Sequence, residues 1–279
     1  MDQPRSHYIS INNLLLHYLE WGEDHSQPMI LLHGTGDNAH MWDHFASAMS
    51  NRFRILALDQ RGHGNSDWAI PPAYSCDDYV SDLTRFIAGL QLTGVILLGH
   101  SMGALHASKY TSLVPDDVLG LIHVDIEACP PLWNKEYLHD LFVKLPAFYN
   151  SIEDFVDHLH TTSPYAKKEM LRYLAFHALN RKQNGKWEVK FDKEVLNHFD
   201  DYDLRGDLAG IKCPTLIIRG EESRVMRRKI AQEMNSSIPN SRLVEIPKST
   251  HPVHSDNPAK FQQVVWDFLT DSHLIASQE

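Results

Sequence analysis

A chain of 279 residues is long enough to form one large α/β domain or two small domains, and either would bury a substantial core. Its 26 lysines and arginines against 36 aspartates and glutamates give a formal charge of −10, which repels phosphate backbones and argues against a nucleic-acid partner. With 43% hydrophobic and 22% charged residues and no low-complexity tract, the composition is that of a folded globular protein.

The amino terminus, the cysteines and the histidines bear on location and cofactors. The first ten residues are polar and no apolar run reaches the roughly eighteen residues of a membrane span, so we expect no secretory signal and no membrane association. Cys76, Cys129 and Cys213 are odd in number and widely spaced, which favours a reducing, cytoplasmic location. The 18 histidines are scattered and form no H-E-x-x-H motif, so we expect no metal and no cofactor.

Short apolar runs bounded by turn residues recur along the chain and predict strands that are buried on both faces. These runs are Met29–Leu32, Ile55–Leu58, Val95–Leu98, Leu121–Val124 and Thr215–Ile218. Helical spacing lies between them, at Tyr79–Leu90 and Ala104–Val114. Strands alternating with helices predict the α/β class, with a mostly parallel central sheet and helices on both of its faces.

The alternation stops after Asp125 and resumes at Pro214. The intervening stretch is too long for an ordinary connection and predicts a helical insertion of roughly eighty residues. We therefore divide the chain into a first core part at 1–127, a helical lid at 128–207 and a second core part at 208–279. The lid's aromatic side chains are expected to form an apolar acyl pocket; they are Trp133, Tyr137, Phe142, Phe148, Tyr149, Phe155, Tyr165, Tyr173 and Phe176.

A candidate nucleophile, Ser101, lies between a predicted strand and a predicted helix, in the sequence Gly-His-Ser-Met-Gly at residues 99–103. This is a G-x-S-x-G motif in a strand–turn–helix setting. A serine on so tight a turn has a strained backbone, which requires neighbours without side chains two residues away. Gly99 and Gly103 meet that requirement, and the following helix directs its amino terminus at the reacting centre.

Four segments in this order resemble the α/β-hydrolase family over nearly the whole chain. They are His33-Gly34-Thr35-Gly36, the turn Asp59-Gln60-Arg61-Gly62-His63-Gly64-Asn65-Ser66, the Ser101 motif, and His251 followed by Pro258. The resemblance implies the α/β-hydrolase fold and an oxyanion hole formed by the backbone amides of Thr35 and Met102. Serine needs a histidine base, for which the late candidates are His251 and His254. His251 has the family's position, although Thr250 replaces the glycine that commonly precedes it.

The acid that orients the histidine has two candidates. Most family members carry an aspartate after the later strand, where this chain has Ser223, with Glu222 beside it. A subset of small esterases carries the acid at the end of the preceding strand, where Asp125 stands. The pattern favours Asp125 and leaves Glu222 as the alternative.

A serine, a histidine, an acid and two backbone donors can attack an acyl carbonyl, and ester hydrolysis makes the least demand on the site. Ser101 argues against the epoxide and haloalkane chemistries of the family, which use an aspartate nucleophile. The alternatives are a carbon–carbon bond hydrolase, a lactonase, a thioesterase, a perhydrolase or a non-catalytic small-molecule receptor. The expected partner is a small-molecule ester or acyl substrate bound by a monomer or homodimer. The candidate substrate-binding residues are Trp42, His100 and Trp133.

Overall fold

A computed structural model describes residues 3–197 and 202–275. The strands in these ranges are β1 (Arg5–Ile11), β2 (Leu14–Trp21), β3 (Gln27–Leu32), β4 (Phe53–Leu58), β5 (Val95–His100), β6 (Val118–Val124), β7 (Leu179–Arg181), β8 (Trp187–Val189), β9 (Thr215–Gly220) and β10 (Ser241–Ile246). Eight of these described strands form one sheet in the order β1-β2-β4-β3-β5-β6-β9-β10. From β4 to β10 the neighbours are parallel, whereas β2 is antiparallel to both of its neighbours.

Helices cover both faces of this sheet. Those in the described ranges are α1 (Asp43–Met49), α2 (Cys76–Gly89), α3 (Met102–Leu113), α4 (Leu132–Val143), α5 (Ile152–Thr162), α6 (Lys168–Ala178), α7 (Glu194–Asn197), α8 (Arg228–Ser237), α9 (Val253–Asp256) and α10 (Pro258–Asp271). Helices α2, α3 and α8 contribute to the apolar core on one face, and α1 and α10 contribute to the core on the other. The predicted sheet with two helical layers is therefore confirmed.

All five predicted strands lie in the sheet, and their residues are buried. Helix α2 begins earlier than the predicted Tyr79, because the Ser75 side chain accepts from the Asp78 amide and the Asp78 carboxylate accepts from the Ser75 amide. Such a capping box satisfies backbone donors that the first helical turn would otherwise leave unpaired. Sequence and structure therefore agree on the central layers and differ at helix ends.

The carboxyl ends of the parallel strands meet at one edge of the sheet, where α/β proteins bind their ligands. β3 runs into the loop of Thr35, β5 ends just before Ser101, and β6 ends just before Asp125. The loop after β10 carries His251 at the same edge. This topology brings residues far apart in the sequence into one region.

The segment between β6 and β9 contains α4 to α7 and also the antiparallel hairpin β7–β8, which the mainly helical prediction missed. Asn184 and Gly185 lie in its turn, and Gly185 has φ of 80°. An Asn-Gly pair is a hairpin signal, so the sequence did contain a local indication of this turn. The segment also has an apolar core of its own, which includes Tyr149, Phe155 and Leu171.

In residues 3–197 and 202–275, no helix combines the length and the apolar character needed to cross a membrane.

Candidate active site

The turn between β5 and α3 holds Ser101 in a strained backbone conformation, with φ of 53° and ψ of −125°. Its amide donates to the carbonyl of Val124 at 2.9 Å, which ties the turn to the neighbouring strand. A Cβ atom at position 99 would lie 2.3 Å from the Gly103 carbonyl oxygen, and one at position 103 would lie 2.5 Å from the Leu32 carbonyl oxygen. Glycine is thus required on both sides, and the strain is maintained by the packing around the turn.

Asp125 follows β6 and is fully buried. Its Oδ2 atom lies 2.8 Å from Nδ1 of His251 and also accepts from the Ser223 hydroxyl at 2.6 Å. Its Oδ1 atom accepts from the Gly220 amide at 2.9 Å. These three hydrogen bonds hold the carboxylate in one orientation, directed at the histidine ring.

Glu222 also lines the site, but its side chain is exposed and accepts from the Tyr165 hydroxyl. Among the described contacts it has no hydrogen bond to His251. Ser223, which occupies the family's usual acid position, instead donates to Asp125.

Ser101 and His251 line the same cavity, which has a volume of about 440 Å³. Within the described ranges the Ser101 hydroxyl makes no hydrogen bond to the His251 ring. Hydrogen bonds between a nucleophile and its base are often long without substrate and shorten in the reacting complex. The two side chains therefore line the same cavity without a hydrogen bond between them in the described structure.

His100 connects the turn of Ser101 to the loop that carries His251. Its Nε2 atom donates to the backbone carbonyl of His251 at 3.0 Å, and the two rings lie 4.6 Å apart. Burial lowers the pKa of His100 well below its usual value, and nearby His251 and His254 lower it further. Its ring is therefore neutral and serves as a hydrogen-bond donor and packing surface. A Cβ at Gly34 would lie 2.9 Å from its Nδ1 atom, so this loop position has little room for a side chain.

The loop after β3 brings Thr35 next to Met102, and the Thr35 hydroxyl lies 3.5 Å from the Met102 sulfur. Neither residue's amide donates to a backbone carbonyl within residues 3–197 and 202–275. Buried His33 anchors this loop, since its Nδ1 donates to the Gly34 carbonyl at 2.8 Å and its Nε2 accepts from the Gln60 amide at 3.0 Å. In the part of the chain that the structure describes, neither amide is therefore paired with a backbone acceptor.

The histidine loop has a second anchor in Asp256, which is 7% exposed. Its Oδ2 atom accepts from the Thr250 amide at 2.8 Å, and its Oδ1 atom accepts from the Tyr165 amide at 3.1 Å. The same carboxylate therefore joins the residue before His251 to the segment between β6 and β9. Sequence reasoning did not identify Asp256.

Sequence reasoning also missed Asp37, whose carboxyl lines the cavity. Burial raises its pKa to about 7, and the opposing effect of His251 is smaller. An acidic residue directly after the Thr35 loop was the only available signal.

Two of the three predicted substrate-binding residues are placed differently from the prediction. His100 lines the cavity, but neither Trp42 nor Trp133 is among its described lining residues. Trp42 is fully buried and packs beside His254 and Phe261 in the core. His254 packs against Trp42 and also lines the cavity, and burial lowers its pKa to about 3. The Trp133 side chain on α4 is 42% exposed.

The aromatic pocket is likewise only partly as predicted. The segment between β6 and β9 contributes aromatic and aliphatic side chains to the cavity, among them Tyr137, Leu141, Phe142, Phe155, Leu171 and Leu174. Of the nine aromatic residues expected there, Tyr137, Phe142 and Phe155 are described as lining it. Tyr149 instead packs in the segment's own core, and Phe176 is 58% exposed.

The described residues that could hold a metal ion lie outside this cavity. They are His40, Asp43 and His177, and none of them lines the site of Ser101 and His251.

Residues 27–258 match the α/β-hydrolase fold family model, and the chain belongs to this family. The predicted family is confirmed by this match and by the related sequences. The predicted α/β-hydrolase fold is confirmed by the match and by a solved structure of similar fold.

Two relatives carry esterase names. The esterase Rv0045c of Mycobacterium tuberculosis is 27% identical over 254 residues, which cover 88% of this chain and 84% of that protein. A pimeloyl-(acyl-carrier protein) methyl ester esterase of Yersinia enterocolitica is 30% identical over 252 residues, covering 88% and 94%. A solved structure of E-2-(acetamidomethylene)succinate hydrolase is similar in fold, with a TM-score of 0.88, 22% identity and coverage of 96% of this chain and 100% of that one. The chain is thus a member of a hydrolase family.

Proposed function

We propose that this protein is a serine hydrolase that cleaves a carboxylic ester through an acyl-enzyme. The observation that carries the proposal is the 2.8 Å contact between buried Asp125 and His251, which lines the same cavity as the strained Ser101. Serine is a weak nucleophile until a base accepts its proton, and the base needs a carboxylate to fix its orientation.

In the proposed acylation step, Nε2 of His251 accepts the Ser101 proton while the serine oxygen bonds to the acyl carbon. The amides of Thr35 and Met102 donate to the oxyanion that forms, and the amino terminus of α3 adds a favourable field. Collapse of this intermediate breaks the bond to the alkoxy oxygen. His251 then returns the proton to the leaving alcohol.

Deacylation repeats these steps with water. His251 accepts a proton from water, the resulting hydroxide attacks the acyl carbon, and the bond to Ser101 breaks as the serine regains a proton. Throughout, the negative charge of Asp125 stabilises the imidazolium. Ester cleavage is preferred to the other reactions of this site because two relatives are named as esterases.

We further propose that residues 128–207 form a lid domain between the core parts 1–127 and 208–279. Support comes from the separate apolar core of this segment and from the side chains that α4, α5 and α6 contribute to the cavity. The substrate's acyl chain would then lie between the lid and the sheet edge.

A fluorophosphonate probe, followed by peptide mass spectrometry, tests the nucleophile. We expect one adduct, on Ser101. Ser101→Ala should lose p-nitrophenyl butyrate hydrolysis by about a thousandfold or more while its melting temperature stays unchanged. Ser236→Ala, at an exposed position on α8, is the matched control and should retain full activity. Labelling at another residue, or activity of Ser101→Ala within tenfold of wild type, would show the proposal to be wrong.

A further inference from the structure

A cluster of potential metal ligands joins the segment between β6 and β9 to the core of the molecule. His40 lies in the 3₁₀ turn Ala39–Trp42, Asp43 begins α1, and His177 lies in the last turn of α6. One ligand atom from each residue lies within 4.8 Å of the others. The His40 Nδ1 atom is 2.9 Å from Asp43 Oδ2, and the two imidazole rings stack with centroids 3.6 Å apart. Because an imidazole nitrogen binds a metal in the plane of its ring, one of the two rings would turn about its Cβ–Cγ bond when an ion binds.

The Asp43 carboxylate carries a second, independent indication of a ligand. The residue is 4% exposed, and its Oδ1 atom is buried without a hydrogen-bond partner in the described structure. Its Oδ2 atom already interacts with His40 and the Tyr173 hydroxyl. A buried carboxylate oxygen without a partner is costly, and such atoms normally have a donor, a water or an ion.

We propose that His40, Asp43 and His177 bind a divalent transition-metal ion, with Zn²⁺ as the best match. Two imidazole nitrogens and a carboxylate oxygen form a ligand set that zinc commonly takes in proteins. Both histidines are only partly buried, so an ion from solvent can reach them, whereas Asp43 provides a buried negative charge. No short sequence motif marks the site, because His177 lies far along the chain from the other two ligands.

The ion would fasten α6 to the core. Leu171 and Leu174 of α6 line the cavity, and so does Met41, the neighbour of His40. Metal binding at this site would therefore stabilise one wall of the cavity without contacting Ser101 or His251. The binding site itself does not depend on the proposed esterase activity.

Calorimetric titration of the chelator-treated protein with Zn²⁺ tests the proposal. We expect one ion per chain, and at a hundredfold excess over Kd a rise in melting temperature of about 5 °C. Co²⁺ in place of Zn²⁺ should give visible d–d absorption with the same stoichiometry. These readouts need no substrate, so their failure is distinct from failure of the proposed hydrolase function.

Variants locate the ion. His40→Gln and His177→Gln should each lose the stoichiometric binding and the thermal shift, while their metal-free melting temperatures show whether they are folded. His160→Gln, at an exposed histidine on α5, is the control and should bind like wild type. The absence of stoichiometric binding to wild type would overturn the proposal. Unchanged binding in a folded ligand variant, or loss of binding in the control, would also overturn it, since the ion would then be held by other histidines.

Discussion

Both carboxylate oxygens of Asp125 make hydrogen bonds, and this arrangement allows a substitution to test whether its negative charge is needed. Its Oδ1 atom accepts from the Gly220 amide, so its Oδ2 atom alone faces His251 and the Ser223 hydroxyl. In Asp125→Asn, an amide oxygen retained against Gly220 would direct the NH₂ group at the histidine. That group cannot accept the Nδ1 proton, so the ring would lose the tautomer needed to activate serine.

We therefore expect Asp125→Asn to lower kcat for p-nitrophenyl butyrate by about ten-thousandfold, by analogy with other serine triads. Glu222→Gln is the matched control and should remain within about tenfold of wild type, because Glu222 is exposed and interacts with Tyr165. The reverse pattern, an inactive Glu222→Gln with a nearly active Asp125→Asn, would move the acid to the later strand.

The raised pKa of Asp37 predicts that the stability of the folded protein depends on pH. Burial raises its pKa to about 7 in the folded protein from a usual value of 3.8. Between about pH 4 and 7 the folded state therefore retains a proton that the unfolded state has lost, and the contribution of this group to stability falls as pH rises. Above about pH 7 the carboxylate is charged in both states, and its contribution to stability no longer changes with pH.

Asp37→Asn removes the penalty for this buried charge, and its melting temperature relative to wild type should increase between pH 5 and pH 8. At pH 8 we expect the variant's free energy of unfolding to exceed that of wild type by about 1–2 kcal/mol. This is less than the full pKa shift of Asp37 implies, because the side chain is partly accessible from the cavity. Thermal unfolding at each pH measures it, with the exposed Asp116→Asn as control. A difference that does not change with pH would contradict the assignment.

At the scale of elements, the histidine loop depends on the carboxylate that binds its backbone. Asp256→Ala would leave the amides of Thr250 and Tyr165 without their acceptor. We expect a stability loss of about 1–3 kcal/mol in urea unfolding and a lower kcat, because His251 is the next residue after Thr250. Asp256→Asn keeps an acceptor oxygen and should recover part of both.

Asp267→Ala provides the control for this substitution, since Asp267 is exposed on α10 and its described hydrogen bond is to Gln263 rather than to the histidine loop. If Asp256→Ala kept wild-type stability and kcat, the loop would be positioned by its other contacts.

Sequence periodicity gave the buried strands correctly because continuous apolar runs have few other structural solutions. The faces of the helices between β6 and β9 were harder to predict. On α6 the aliphatic Leu171, Leu174 and Ala178 line the cavity, whereas the aromatic Tyr173 and Phe176 do not. Side-chain size suggested the aromatic residues, but the spacing of three and four positions that marks one helix face belonged to the aliphatic set.

At the scale of the whole molecule, topology rather than local sequence assembles the site. The strands that precede Ser101 and Asp125 are adjacent in the sheet, which could be inferred from the family resemblance. The contact between Ser223 and Asp125 joins segments distant in sequence, and so does the cluster of His40, Asp43 and His177. Such contacts depend on how the layers pack, for which a single sequence has no local signal.

The cavity as a whole predicts substrate preference. Its volume of about 440 Å³ and its apolar wall favour an acyl chain of medium length. Each methylene group that becomes buried contributes about 0.8 kcal/mol, so kcat/KM should rise by up to about fourfold per added carbon until the cavity is filled. We expect p-nitrophenyl esters to show this rise from acetate through hexanoate and a decline at hexadecanoate.

Asp37 and Glu222 at the cavity make a free carboxylate on the acyl chain unfavourable, although Arg224 offsets part of this effect. The p-nitrophenyl ester of succinate should therefore react more slowly than that of butyrate, and the difference should shrink at high salt. A clear preference for the charged ester, or rates independent of acyl length, would contradict an apolar acyl pocket.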